Sequence, residues 1–566
     1  MLFEKFFLMN MKRQYAVLLL LFFLIVYIIP LGARDLLVPD ETRYAEIPRE
    51  MIAGGDWAVP HLDGLRYFEK PPLGYWINAG ALLLFGQNNF AVRLPSAMAA
   101  GLSAVLICFL TGAAVIEPPG QRRFTALLAG IVFLSCFEVA AVGNIAVLDG
   151  MFSLFVTATL AAFYLASEAA PGSWREKRYL LISGLACGLA FLTKGFLAFA
   201  LPVLVLVPYL VWQHRFKDLF RMGWIPVLAA VLTALPWSLR VHLRAPDFWR
   251  YFFWNEHIRR FMADNAQHKA SFWYFFMAAP GVFLPWTFVI PAAEAGGVPL
   301  VKAPGPGGRL VRFCICWLVL PFLFFSISNG KLLTYILPCF PPFAILTAMG
   351  LSRMTDRGGD RAFNRGAGAT GILLVLMLLA LLAVQLFNFN GWRIFSHPWK
   401  VTMAVNGLVF MSLFCLWSLR SHCGPNKVAL LGFAPLLLLL SAHFTIPGNV
   451  IAQSAPGRLL EKYRDRIKPE TVIISGEETA GAACWYLKRD DVYVLGPTGE
   501  LTYGLQYRDA AGRVLDTDGA TRLIERNRGR TLLVARRGKV DHWRKGLPRP
   551  VFEDDGGPGG FVLWWY

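Results

Sequence analysis

Long apolar runs recur along this chain from residue 14 to residue 446, and they constrain its fold more than any other feature. A helix of about 20 predominantly apolar residues is enough to cross a bilayer. The sequence is 56% hydrophobic and its mean hydropathy is +0.48, which is too apolar for a water-soluble protein of 566 residues. We therefore expect a mainly α, polytopic membrane protein.

Thirteen segments are predicted to span the membrane: 14–33, 93–116, 123–142, 150–168, 178–193, 196–212, 223–241, 272–293, 311–328, 332–351, 369–388, 400–419 and 428–446. The first lacks a small-residue cleavage site and is too long for a signal peptide, so we interpret it as a retained anchor. The apolar segment 71–86 is short for a span and begins with two prolines. It predicts a juxtamembrane helix that lies in the interface.

The distribution of arginine and lysine supports this count. If 71–86 stays outside the bilayer core, all the loops on one side are basic, as the positive-inside rule requires of the cytoplasmic side. Those loops hold Arg122-Arg123, Arg175 to Arg178, Arg215 to Arg221, Arg309 to Arg312, Arg353 to Arg365 and Arg420 to Lys427. The same sorting explains the formal charge of +18 without nucleic acid. Three loops on the opposite side, outside the cytoplasm, are long or charged: 34–91, 143–149 and 240–271.

The last 120 residues, 447–566, have a different character. Strand patterns at 471–475, 491–495, 531–535 and 561–565 alternate with helical patterns at 478–488 and 521–528, which predicts a small α/β domain outside the cytoplasm. A Gly-rich nucleotide fingerprint is missing from this segment. The nine cysteines lie mostly in apolar runs, form no CxxC motif and do not indicate a compartment.

Charged residues cluster in the first of these loops. Asp40, Arg43 and Arg49 share one short predicted helix, and Glu69-Lys70 follows about 25 residues later. Ionisable residues at the membrane mark a functional site by default. Arginine suits a phosphate as a bidentate fork and lysine as a point charge. The structural alternatives are a helix N-cap for Asp40 and a charged turn for Glu69-Lys70.

Other candidates fall on the same side of the membrane. His257 lies in the third loop, but one histidine with one glutamate is an incomplete metal set. Asp149 either caps a helix or faces the first-loop cluster. Lys194 and Lys331 either snorkel to the interface or face it too, and Tyr335 follows Lys331 by one helical turn.

Three motifs resemble the aminoarabinose transferases of lipid A, which are C-type glycosyltransferases related to the protein O-mannosyltransferases. They are Pro39-Asp40-Glu41-Thr42-Arg43-Tyr44, Tyr67-Phe68-Glu69-Lys70-Pro71-Pro72-Leu73 and Arg93-Leu94-Pro95-Ser96. The resemblance covers most of the membrane region and implies the C-type glycosyltransferase fold. It includes no motif in 447–566.

The resemblance also implies roles for individual residues. Asp40 and Asp149 match catalytic aspartates, and Glu69 and His257 match positions that hold a zinc ion. The phosphate-binding set comprises Arg43, Lys70, Arg260 (or its neighbour Arg259), Lys194 and Tyr335.

The function implied is an inner-membrane glycosyltransferase, a monomer, that moves 4-amino-4-deoxy-L-arabinose from undecaprenyl phosphate to a lipid A phosphate. A related transferase acting on protein or another glycan is the enzymatic alternative. A transporter or lipid flippase is the non-enzymatic one, but it would carry ionisable residues near mid-membrane. Here the charges cluster in loops and at helix ends, which favours the enzyme.

Overall fold

The computed structural model describes residues 14–115, 118–259, 269–356, 360–387, 393–557 and 559–566, with 255–259 and 356 described by their backbone alone. The helices of the membrane region are Gln14–Gly32, Asn89–Ala114, Pro119–Ser135, Phe137–Gly143, Leu148–Ser167, Trp174–Lys194, Leu197–Trp212, Phe216–Arg244, Tyr274–Val282, Thr287–Val301, Pro306–Ile327, Leu333–Thr355, Asp360–Phe387, Pro398–Arg420 and Gly424–Ala442.

Nine helices in the described ranges are long and apolar enough to cross a membrane, and two bent pairs raise the number to eleven. The two remaining predicted spans coincide with Trp174–Lys194, which carries charges in its first turns, and Leu197–Trp212, which has 16 residues. Helices therefore stand at each of the thirteen predicted positions, and the number that cross the bilayer stays a prediction.

The predicted spans 123–142 and 272–293 are each formed by two helices with a sharp bend between them. The first bends by 67° at Cys136, whose backbone is extended, and the second by 95° between Val282 and Thr287. Each bend supplies hydrogen-bond partners for polar groups of the other. Phe137 N donates to Leu284 O at 3.1 Å, and Trp286 Nε1 donates to Ser135 Oγ at 2.8 Å. A helix can be interrupted in a membrane only where the freed polar groups find such partners.

The first loop folds into three elements. A helix runs over Asp40–Gly54, a hairpin pairs β1 (His61–Leu62) with β2 (Leu65–Arg66), and a helix of 13 residues, Leu73–Phe85, follows. The last helix is too short to span a bilayer and stands where the juxtamembrane helix is predicted. Its end exposes Leu83, Leu84 and Phe85, which suits immersion in the apolar side of the interface.

The C-terminal segment forms a mixed six-stranded sheet of order β5-β4-β3-β6-β8-β7. Its strands are β3 (Val472–Ser475), β4 (Tyr493–Leu495), β5 (Val514–Leu515), β6 (Thr531–Arg536), β7 (Phe552–Asp554) and β8 (Phe561–Trp565). The helices are Gly448–Ser454, Gly457–Tyr463, Glu477–Leu487, Thr517–Arg526 and Arg537–Trp543. The four predicted strands are present, whereas the two edge strands, β5 and β7, were not predicted.

Alternate residues of this sheet face two different cores. Ile473, Leu532 and Leu563 pack in one core with first-loop residues such as Ile47, while Ile474 and Leu533 pack in another, beneath Thr517–Arg526 and Arg537–Trp543. Between the sheet and the first loop lies helix Glu477–Leu487, whose Gly481 approaches Thr42 and Arg43 closely. The C-terminal domain thus rests directly on the first loop.

Candidate active site

Glu41 is the buried centre of a polar network that fixes the first loop. Its Oε1 accepts from Arg93 Nε at 2.7 Å and from the backbone N of Ala146 at 3.0 Å, and its Oε2 accepts from Arg34 NH1 at 2.6 Å. Burial alone would raise the pKa of this carboxyl, but Arg93 and Arg34 together lower it to about 2. Because Ala146 belongs to the second loop, Glu41 sets the position of that loop relative to Asp40.

Arg43 is shared between two carboxylates from distant parts of the chain. Its guanidinium contacts Asp40, one turn away, and Glu500 of the C-terminal domain. Tyr67 adds a hydrogen bond, with its hydroxyl donating to Glu500 Oε2 at 3.2 Å. Arg43 is buried and Asp40 is exposed, so the cation forms the floor of the site and the carboxylate its rim.

The two helix-cap alternatives do not hold. Asp40 is the first residue inside its helix, the N-cap position belongs to Pro39, and no side chain caps that end. Asp149 is the second residue of Leu148–Ser167, where Val147 is the N-cap, again without a side-chain cap. Both carboxylates point instead to basic partners, Arg43 and Lys194.

Lys194 ends helix Trp174–Lys194 and pairs with Asp149, with 2.6 Å between Nζ and Oδ1. The Nζ atom also lies 4.9 Å from the centre of the Tyr335 ring, within the range of a cation–π contact. Three residues predicted from separate segments thus meet at one point. Lys331 serves a different purpose: it is buried and donates to Ala270 O at 3.0 Å, which braces the end of the third loop.

Tyr44 links the two groups. Burial raises the pKa of its hydroxyl; Arg43 opposes that rise, while the nearby charges of Asp40, Asp149 and Glu69 add to it. The negative charges of carboxylates from both the first and the second loop therefore act on this one phenol. Its ring stacks on Tyr75, with 6.1 Å between the ring centres, which fixes its direction.

Glu69 and Lys70 complete the first-loop part of the site. Lys70 Nζ donates to the carbonyl oxygen of Glu69 at 3.0 Å and lies 4.0 Å from its Oε2. The Glu69 carboxyl is also among the charges that act on Arg43. Both side chains are largely buried, so a phosphate entering here would meet partly desolvated cations, which bind it more strongly than exposed ones do.

The metal prediction rests on residues that are only half described. Glu69 lies in the described chain, whereas the His257 side chain lies outside it. The predicted phosphate-binding residue Arg260 also lies outside the described chain. Among the described residues, no group of three His, Cys, Asp or Glu side chains is close enough together to hold a metal ion. The zinc prediction for Glu69 and His257 therefore stays a prediction.

Three functional candidates were not assigned from the sequence: Tyr44, Tyr67 and Glu500. The two tyrosines stand inside the motifs, so their pattern was available. Glu500 has no such signal, because it lies 433 residues from Tyr67 in a segment without a motif. Only the docking of the C-terminal domain brings it to Arg43.

Comparisons with known proteins agree with this architecture. Residues 14–252 match the family model described as dolichyl-phosphate-mannose-protein mannosyltransferase, and residues 451–565 match that of the arabinosyl transferase ArnT C-terminal domain.

Two similar proteins are both named undecaprenyl phosphate-alpha-4-amino-4-deoxy-L-arabinose arabinosyl transferase. That of Aeromonas hydrophila is 42% identical over 498 residues, covering 87% of this chain and 88% of its own. That of Erwinia tasmaniensis is 38% identical and covers 98% of this chain and 99% of its own. The crystal structure of ArnT from Cupriavidus metallidurans bound to undecaprenyl phosphate superposes with a TM-score of 0.80 at 24% identity, covering 97% of this chain and 98% of that one. At that identity the likeness establishes the fold.

Proposed function

The chain belongs to the family of undecaprenyl phosphate-alpha-4-amino-4-deoxy-L-arabinose arabinosyl transferases, and from this premise we propose that it transfers that sugar from undecaprenyl phosphate to a lipid A phosphate. It is a multi-span membrane glycosyltransferase that uses a polyprenyl-phosphate sugar. We further propose that it resides in the bacterial inner membrane with its site facing the periplasm, because its basic loops then face the cytoplasm.

One observation supports the proposal: the carboxylates of Asp40, Glu69 and Asp149 all act on the hydroxyl of Tyr44. Each of these carboxylates has a cation beside it, which is Arg43, Lys70 and Lys194 respectively. Each cation is balanced by a carboxylate that an incoming phosphate can replace. Such a site accepts the phosphate of a lipid carrier while exposing the sugar to Asp40 at the rim. A soluble nucleotide donor is not needed.

The chemistry is a displacement at the anomeric carbon. An oxygen of the acceptor phosphate forms the new bond, the bond to the carrier phosphate oxygen breaks, and the carrier phosphate leaves with the electron pair. Arg43, Lys70 and Lys194 stabilise the charge that grows on that leaving group. The acceptor phosphate is already an anion and needs little help from a base. Direct displacement at one site inverts the anomeric configuration.

Asp40 has a task on the sugar side. The anomeric centre gains positive charge in the transition state, and a carboxylate at the rim stabilises that charge. Glu500 offers a second carboxylate, and its side chain is 22% exposed. The donor sugar carries an amino group that is cationic at neutral pH, so Glu500 is the candidate to hold it.

A divalent metal at Glu69 and His257, zinc by preference, would add positive charge beside the leaving phosphate. The proposal for transfer does not depend on it, because the arginine and lysine side chains already supply cations there.

The test is transfer by the purified protein in detergent. We expect undecaprenyl-phosphate aminoarabinose and lipid A to give lipid A whose mass is increased by one aminoarabinose, measured by mass spectrometry. Arg43→Gln should lose most of this activity, whereas Arg528→Gln, at an exposed position of the C-terminal domain, should keep it. Product formed only with a protein acceptor would refute the lipid A assignment in favour of the alternative transferase.

A reporter fusion tests the orientation independently. A fusion after Gly86 should report the periplasm and one in the Arg122-Arg123 loop the cytoplasm. The reverse pattern would refute the periplasmic site.

A further inference from the structure

Residues 499–510, here called the crossing loop, extend from the C-terminal domain to two other parts of the site. The loop lies between β4 and β5 and consists of three short 3-10 turns, Gly499–Leu501, Gly504–Gln506 and Arg508–Ala510. Its first turn carries Glu500, which contacts Arg43. The remainder of the loop has no role in the proposed chemistry, yet it contacts both the first and the third loop.

Two tyrosines of the crossing loop share one carboxylate. The hydroxyls of Tyr503 and Tyr507 both donate to Oδ2 of Asp247, which follows span Phe216–Arg244 at the start of the third loop. Partial burial opposes the charge of Asp247, but the two hydroxyl groups outweigh it and lower the pKa of the carboxyl. Asp247 therefore stays ionised at neutral pH and holds both tyrosines with charge-assisted hydrogen bonds.

The tyrosine rings also lie between the first and third loops. The Tyr503 ring centre is 5.4 Å from that of Phe68 and 4.1 Å from that of Tyr251. The Arg66 guanidinium carbon lies 4.1 Å above the Tyr507 ring. Aromatic pairs of this kind stabilise a contact beyond the contribution of the area that they bury.

Gly504 brings the crossing loop into direct backbone contact with the hairpin of the first loop. A Cβ at this position would lie 2.5 Å from the carbonyl oxygen of Arg66 and 3.0 Å from Cβ of Leu65. The contact leaves no room for a side chain. The loop therefore lies tightly against β2, and Glu500, four residues earlier, lies beside Arg43.

We propose that Asp247, Tyr503 and Tyr507 are positioning residues of the transferase: they fasten the crossing loop across the first and third loops and so hold Glu500 in the donor site. The inference rests on the proposed function and gives the C-terminal domain a part in donor binding. None of the three residues needs to touch the substrate, because their effect passes through Glu500.

The expected kinetic signature follows from the population of the fastened loop. If a variant keeps the loop in place only a tenth of the time, the apparent affinity for the donor falls about tenfold, while the bound complex reacts at nearly the same rate. Asp247→Asn should therefore raise KM for the donor by about tenfold with little change in kcat. The Tyr503→Phe/Tyr507→Phe double variant, which keeps both rings, should shift KM in the same direction.

A matched control exists within the same domain. Tyr463 donates to Asp554, and Lys462 Nζ pairs with that carboxylate at 2.6 Å, far along the sheet on edge strand β7. Asp554→Asn and Tyr463→Phe remove an equivalent tyrosine–aspartate contact and should leave KM unchanged. Gly504→Ala should raise KM like Asp247→Asn, because it forces the loop away from Arg66.

Hydrogen exchange gives a readout that does not need activity. In the free wild-type protein, residues 499–510 should be protected, and Asp247→Asn should accelerate their exchange while Asp554→Asn does not. Wild-type KM in Asp247→Asn, or an equal KM change in Asp554→Asn, would overturn the inference. A wild-type protein that is inactive with the aminoarabinose donor would instead count against the proposed function, and the exchange comparison would still decide the role of Asp247.

Discussion

The Arg93 side chain grips the Glu41 carboxylate with two nitrogens, Nε to Oε1 at 2.7 Å and NH2 to Oε2 at 2.9 Å. Both side chains are almost fully buried, and Arg93 also donates to the carbonyl oxygens of Leu31 and Arg34. This pair joins the end of the first span, the first loop and helix Asn89–Ala114. It holds in place the start of the helix that carries Asp40 and Arg43.

Glu41→Gln should strongly destabilise the protein, because it leaves the buried guanidinium groups of Arg34 and Arg93 without an anion. Breaking a buried ion pair from one side costs about 3–5 kcal/mol. Thermal unfolding in detergent measures the effect. Glu470→Gln, at an exposed position, is the control and should change the melting temperature little. Equal stability of the two variants would show that the network is not needed for folding.

Asp40→Asn should lower kcat by orders of magnitude while donor affinity changes little, because the side chain keeps its size and loses its charge. Single-turnover transfer and separate donor binding distinguish the two effects. Asp541→Asn, at an exposed position of the C-terminal domain, serves as control. Near-normal turnover in Asp40→Asn would mean that the rim carboxylate has no part in the chemical step.

Lys70→Ala should weaken donor binding by about 1.5–3 kcal/mol, the range of a hydrogen bond to a charged group. Turnover should also fall, since the leaving phosphate gains charge as its bond breaks. Binding of undecaprenyl phosphate alone, without the sugar, measures the first effect. If the variant binds this lipid as tightly as the wild type, Lys70 does not contact the phosphate.

Purified wild-type protein should contain a divalent metal, zinc by preference, and the Glu69→Ala/His257→Ala double variant should contain much less. Two protein ligands leave coordination positions for substrate or water, as in catalytic zinc sites. Elemental analysis after dialysis gives the metal content. The same zinc content in both proteins would exclude this pair as the site.

The buried carboxyl of Asp63 lies between the first loop and the C-terminal domain, and its titration should make this contact depend on pH. Its Oδ1 accepts from Val492 N at 2.9 Å and from Arg513 NH2 at 2.8 Å, and burial raises its pKa from 3.8 to about 7 in spite of Arg513. A carboxyl whose pKa is raised by folding contributes most below its unfolded pKa, and this contribution is lost as pH rises to about 7.

Asp63→Asn has no proton to lose and tolerates the positive φ of 57° at this position. The stability of this variant relative to wild type should therefore increase between pH 4 and pH 7. Unfolding midpoints at several pH values measure the trend. A difference that is constant with pH would contradict it.

The sequence was sufficient for the parts of this protein that depend on local patterns. Apolar runs and basic loops predicted the helical segments, and the first-loop motifs predicted the grouping of Arg43 with Asp40 and of Glu69 with Lys70. The bends at Cys136 and before Thr287 could not be seen, because they depend on hydrogen bonds between two distant segments. Glu500 was missed for a similar reason, since tertiary docking alone gives it a partner.

The crossing loop has a consequence for the timing of biosynthesis. Glu500, Tyr503 and Tyr507 follow the membrane helices in the chain, so the ribosome makes them after it has made the first and third loops. A nascent chain that has inserted all its spans still lacks the residues that fasten its donor site. Its affinity for the lipid-linked sugar should therefore stay low until the C-terminal domain has been made and has folded onto the first loop.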